Sequence, residues 1–175
     1  GFFTTMPGAF AHVDTTIERT GTSRILKPAN VYVHFYSVEN PARMRALDEL
    51  LKRWVAREPT IPVFASHYAA AVRNAQYECE LVQLADGYRG RGFRACRTLR
   101  FDGERRSIDW SRSLGLAGAH RIGDHLYVTL ARDEAEVRFA EAPTAWLNVE
   151  QADTEIDDVV LGPRELRLRA KRFGD

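Results

Sequence analysis

KPANVYVHFYSVENPARM, residues 27–44, is the stretch on which the fold reading turns. Its first half, NVYVHFYS, is rich in β-branched and aromatic side chains, the composition of a strand. A pleat of period two puts Tyr32, His34 and Tyr36 on one face and Val31, Val33 and Phe35 on the other. The pattern then breaks at Asn40-Pro41. Asn is a favoured helix cap, and Pro suits the first helical position. Met44, Leu47, Leu51, Trp54 and Val55 recur at helical spacing, which predicts an amphipathic helix with Trp54 in its core stripe, stopped by Pro59.

The pattern repeats once. IPVF, residues 61–64, predicts a second short strand, and Ser66 a cap for a second helix over residues 67–84 that ends at Asp86-Gly87. Strand–helix–strand–helix is the signature of a parallel α/β unit, although two such units are too few to close a barrel. From residue 88 the period changes. GFRACRTLRF, RSIDW, HLYVTLA, EVRFA, AWLNVE, DDVVLG and RELRLRAKRF are short β-like runs, separated by the turn signals DGE, IGD, EAP and LGPR. Regular short strands without a helical window predict an antiparallel β-sandwich or jelly roll. The expected organisation is an α/β remnant over residues 1–87 and a β-sandwich accessory domain over residues 88–175. The polar segment DTTIERTGTSRILKPA, residues 14–29, reads as an extended strand or loop leading into the first unit.

The totals narrow the function classes. The chain has 175 residues, 45% of them hydrophobic and 28% charged, so it can bury a core. A net charge of +1 argues against a dedicated nucleic-acid binder. No run approaches the about 18 apolar residues of a membrane span. The start, GFFTTMPGAF, lacks the basic region of a signal peptide, and Pro7 and Gly8 interrupt its apolar stretch. Gly1 in place of Met reads as a processed chain or an excised piece, which leaves the compartment open. Cys79 and Cys96 fit no metal motif; two thiols and one disulfide both remain open. The chain carries no Gly-rich phosphate loop, nucleophile elbow or paired-cysteine zinc motif.

LKPANVYVHFYSVENPARMRALDELLKRWVAREPTIPVFASHY resembles the last part of the deacetylase region of PelA-type proteins, which modify the Pel exopolysaccharide of bacterial biofilms. The block K-P-x-N-V-Y-x-H-F-Y-S followed by a helix and P-V-F-A-S-x-Y carries the resemblance. FRACRTLRF, DWSRSLGLAGAH and HLYVTL are similar to the β-rich segment that follows the deacetylase, so the resemblance runs from about residue 25 to the end. His67 departs from it, standing where the family has an acidic residue. The paired-aspartate and His-x-x-x-His motifs that hold the metal in such enzymes are not in this sequence.

The resemblance implies that the chain is the C-terminal portion of a metal-dependent polysaccharide de-N-acetylase, inactive as an isolated fragment. It implies a periplasmic or secreted location, a polysaccharide ligand, and an outer-membrane scaffold with helical repeats as a candidate partner. No cofactor is expected on this chain; a divalent metal, zinc, is expected of the complete enzyme. His34 is implied as the catalytic acid. The chemistry is apt, because amide hydrolysis needs a proton donor for the leaving amine and a strand end is where α/β proteins gather functional groups. The plainer reading of His34 is a structural histidine. Tyr32, Phe35 and Tyr36 are the candidate sugar-stacking wall, with core packing as their plainer reading.

Other clusters read as structural. His120 and His125 flank a hairpin turn with no third ligand nearby in sequence. Arg89, Arg91, Arg94, Arg97 and Arg100 make no single stripe and read as solvated arginines and ion pairs. Asp153, Glu155, Asp157 and Asp158 lack calcium-loop spacing and read as a polar loop. Two further functions stay open: a non-catalytic β-sandwich that binds carbohydrate or docks on a protein partner, and a purely structural cap.

Overall fold

The computed structural model describes residues 13–15, 28, 30, 32–57, 63–150, 152 and 156–170. They fall into two compact units, Gly1–Pro62 and Val63–Asp175.

In the first unit, helix α1 spans Pro41–Arg57. Its start follows from the sequence: Asn40 Oδ1 accepts from the backbone N–H of Ala42 at 3.0 Å and of Arg43 at 3.3 Å, and Pro41 has no N–H to leave unsatisfied. The expected core stripe is not formed among the described residues. Leu50 is buried, whereas Met44, Leu51 and Val55 are exposed. Trp54 is half-buried, and its ring N–H donates to Asp14 at 2.6 Å, beside an Arg53–Asp14 ion pair of 2.8 Å. The Trp54 hydrogen bond, and then that of Arg53, hold the Asp14 carboxyl below its usual range.

The expected first strand is corrected. Residues 32–34 are not strand and pair with nothing in a sheet, His34 is extended, and Phe35–Glu39 wind into a 3-10 turn. Val31 lies outside the described residues. A strand is stable only when a neighbour completes its ladder, and no described strand precedes Glu80, so β-rich composition here gives unpaired chain followed by a turn. The expected packing of Phe35 is likewise not found, because Phe35 is exposed. The second expected strand is half outside the described residues; its described half, Val63 and Phe64, is not strand. Most of residues 14–29 also lie outside.

In the second unit, helix α2 spans Ala65–Tyr77. It starts one residue before Ser66, and Phe64 stands at the cap with no side-chain bond, which corrects the expected Ser66 cap. It also ends sooner than expected. Glu80–Leu84 is strand β1, which turns through Ala85-Asp86 into β2, Gly87–Arg91. Leu81, Val82 and Leu84 fit both a helical and a strand spacing, and a partner strand across a tight turn decides between them. The compact units therefore divide at residues 62 and 63, and residue 87 lies inside a hairpin.

Five strands and one outlying hairpin complete the unit: β3 Thr98–Asp102, β4 Ser107–Ile108, β5 Leu116–Ile122, β6 His125–Leu130, β7 Ala135–Ala140, then β8 Ile156–Leu161 with β9 Leu166–Ala170. All named pairings are antiparallel. The sheets run β1-β2-β7-β4, β3-β6-β5 and β8-β9. The expected antiparallel, β-rich second half is found, and no described helix follows α2.

The first two sheets share one core. Leu126, Val128 and Leu130 alternate inward along β6 and meet Val137 and Phe139 of β7. Phe101 of β3 lies 5.3 Å from Phe139, edge to face, and 5.1 Å from Tyr88 of β2, so aromatic contacts tie the layers. Phe93 reaches the same core from the loop after β2 and is 2% exposed. Among the described residues, no helix is long and apolar enough to cross a membrane.

AWLNVE is corrected too: residues 145–150 are not a strand. They run beside β5 with mixed bonding. Val149 N–H donates to the Ala117 carbonyl at 3.3 Å, but Ala119 N–H donates to the Asn148 side-chain oxygen at 3.0 Å rather than to a backbone carbonyl. Gly118 permits the close approach, since a Cβ there would overlap the Val149 carbonyl oxygen.

Candidate functional site

Three of the four site residues expected from sequence do come together. His34, itself extended, stands at the cap of the 3-10 turn. Its imidazole stacks on Tyr36 at 4.9 Å with ring planes 10° apart, and Tyr32 meets it edge-on at 5.1 Å. The cluster is open to solvent: Tyr32 is 79% exposed and Tyr36 58%. Phe35, 94% exposed, takes no part in these ring contacts among the described residues. A strand pleat was the expected cause of the Tyr32–His34–Tyr36 alignment. Tyr32 and His34 stand in irregular chain rather than on a strand, and the start of a 3-10 turn brings Tyr36 over the imidazole.

A second site was not legible in the sequence. A groove of about 210 Å³ lies on the second unit between β4, β5 and the segment that follows β7. Trp110, His120, Arg121, Pro143, Thr144 and Asn148 line it. Its walls are held by the backbone. Thr144 Oγ1 accepts from Trp110 N–H at 3.3 Å and donates to the Ile108 carbonyl at 3.2 Å. The Arg121 guanidinium donates to the carbonyls of Glu104 at 2.5 Å and Arg106 at 3.1 Å. His120 lies 3.8 Å from the Glu150 carboxylate. A partly buried indole with polar groups at its rim is an arrangement suited to a neutral polyhydroxylated ring.

The remaining clusters are structural. His120 pairs in register with Tyr127, and His125 with Ile122, so the two histidines do not face each other; His125 contacts Asp102 at 2.8 Å. Among the described residues no group of three or more His, Cys, Asp or Glu side chains stands ready for a metal. Arg89 pairs with Glu136 at 2.6 Å, Arg91 with Glu80 at 2.7 Å and Arg97 with Asp133 at 2.9 Å, as the ion-pair reading expected. Arg94 and Arg97 stand in a loop rather than on a strand. Asp158 pairs with Arg169; Asp153 and Glu155 lie outside the described residues.

One ionic network is extensive. Asp86 bridges Arg138 and Arg112, Arg112 also holds Asp109 at 2.7 Å, and Glu136 bridges Arg138 and Arg89. Hydrogen bonds from Arg138 and Arg112 keep the Asp86 carboxyl below its usual range, and those from Arg89 and Arg138 do the same for Glu136. Arginines and carboxylates are matched here, so the network is a fastening across β2, β7 and their turns rather than a reactive centre. No family model, no curated protein and no solved structure matches the chain.

Proposed function

We propose that the chain is the C-terminal portion of a polysaccharide de-N-acetylase acting on a biofilm exopolysaccharide, and that it contributes the catalytic acid. The carrying observation is the solvent-open stack of Tyr32, His34 and Tyr36. An imidazole held between two phenol rings is oriented yet accessible. It can hand a proton to the nitrogen of a scissile amide while the rings take the apolar face of a sugar. Among the described residues no group of three or more His, Cys, Asp or Glu side chains could hold a metal; the resemblance puts the metal ligands upstream in the complete enzyme. A periplasmic or secreted setting and a helical-repeat scaffold as partner belong to the same proposal.

The test is His34→Ala in a longer form of the protein that includes the upstream motifs. Loss of a general acid lowers turnover by roughly 10²–10⁴-fold. Metal content and melting temperature should be nearly unchanged. Activity lost in step with folded protein would make His34 structural, and normal turnover per folded molecule would remove it from the mechanism.

The groove beside Trp110 favours a second reading, a carbohydrate-binding module without catalysis. Titrating the chain with N-acetylated oligosaccharides should then change tryptophan fluorescence, and His120→Ala should weaken the response without altering the far-ultraviolet dichroism. A flat titration would discard this reading and leave the first untouched.

A further inference from the structure

Cys79 and Cys96 are seventeen positions apart in sequence yet meet at one side chain. Asn74 of α2 is 2% exposed. Its Oδ1 accepts from the backbone N–H of Cys96 at 3.0 Å, and the Cys79 thiol approaches the same oxygen at 3.6 Å. That thiol also lies 3.5 Å from the carbonyl of Gly92, at the start of the loop that carries Cys96. Both cysteines are free and half-buried. Cys79 immediately precedes β1 of one sheet, and Cys96 precedes β3 of the other by two residues.

We propose that Cys79 and Cys96 form a reversible intramolecular disulfide that staples the two sheets at this corner. The oxidant is a small-molecule disulfide. One cysteine, ionised, attacks it and releases one thiol; the second, ionised, then attacks the resulting mixed disulfide and releases the other. One Cys79–Cys96 bond forms, two thiol protons are lost, and the two electrons reduce the oxidant to two thiols. Burial, and then the nearby Cys96, push the Cys79 thiol up, so Cys96 is assigned the opening attack and Cys79 the closing one. Closing a loop of this length restrains the unfolded chain, and the oxidised form should melt roughly 5–10 °C higher than the reduced form.

The test uses the full chain in graded mixtures of reduced and oxidised glutathione. Thiols are trapped with a maleimide after denaturation, and peptides are mapped by mass spectrometry without reduction. The expected result is that both thiols disappear together, in a monomer, with one linked peptide containing Cys79 and Cys96 and a higher melting temperature. Cys79→Ser should instead leave a glutathione adduct on Cys96. Two thiols that persist under oxidising conditions, stable adducts on both cysteines of the parent chain, or linkage only between chains would each overturn the proposal.

Discussion

Replacing Asn74 by alanine should be among the most damaging single changes to the second unit. Besides its contact with the Cys79 thiol, the Asn74 side chain makes five hydrogen bonds: its amide nitrogen donates to Glu78 Oε2 at 2.9 Å and to the Gly92 carbonyl at 2.8 Å, and its oxygen accepts from the N–H groups of Arg94, Ala95 and Cys96, each at 3.0 Å. At about 1 kcal/mol net for each bond, the set contributes about 5 kcal/mol. Arg94 and Ala95 are exposed, so their freed N–H groups can turn to water and recover part of that. The expected loss is therefore about 3–4 kcal/mol, a large share of an ordinary domain's stability. Urea unfolding followed by circular dichroism measures it. Asn74→Asp separates the two halves of the interaction. A carboxylate still accepts from the three N–H groups but faces the Gly92 carbonyl and Glu78 with charge where the amide donated. Comparing the urea midpoint of Asn74→Asp with that of Asn74→Ala at pH 7 therefore reads the donor half of the interaction apart from the acceptor half. A loss below about 1 kcal/mol in Asn74→Ala, with an unchanged denaturant slope, would refute the reasoning.

Phe93→Ala should destabilise by about 3–5 kcal/mol, because the ring fills the shared core from a loop; thermal melting checks this, and a cost under about 1 kcal/mol would mean the loop is dispensable. Gly118→Ala should cost about 2 kcal/mol or more by driving the Val149 carbonyl away, and hydrogen exchange should show the Ala119 amide losing protection. The folded pKa values of Asp86 and Glu136 lie below their unfolded values, so their contribution is present above about pH 4 and is lost as pH falls through the folded values. Asp86→Asn should accordingly flatten the acid limb of a stability–pH curve measured by urea midpoints; an unchanged limb would show that the network carries no linkage.

What the sequence revealed was local. Asn40 starts α1 through bonds from Ala42 and Arg43, with Pro41 at the first helical position, so four adjacent positions contain the whole signal. The alternation of His125–Leu130 is likewise self-contained, since each inward residue is two from the next. The local signal misleads where a distant partner decides. Glu80–Leu84 continues the helical pattern in sequence, and only pairing with β2 makes it a strand. Residues 32–36 had the composition of a strand without a ladder. Leu116–Ile122 carries little strand signal, since alanine and glycine are weak strand formers, yet glycine is required where residue 149 crosses. The candidate sites divide the same way. His34, Tyr32 and Tyr36 are neighbours in sequence and were legible as a group. The Trp110 groove draws on residues from 107 to 148, and Asn74 on partners as far away as Cys96, so neither leaves a motif.

The segment over residues 145–150 has a consequence for the company this protein keeps. β5 ends its sheet, and the outer rim of such a strand is a template on which any other extended chain can polymerise. Here Val149 occupies one rung of that template and the Asn148 side chain another, while the absence of a regular ladder gives the covering segment no template of its own to pass on. It works as a chain terminator: it completes the sheet at β5 without extending it, and so removes one surface from which fibrous growth could begin.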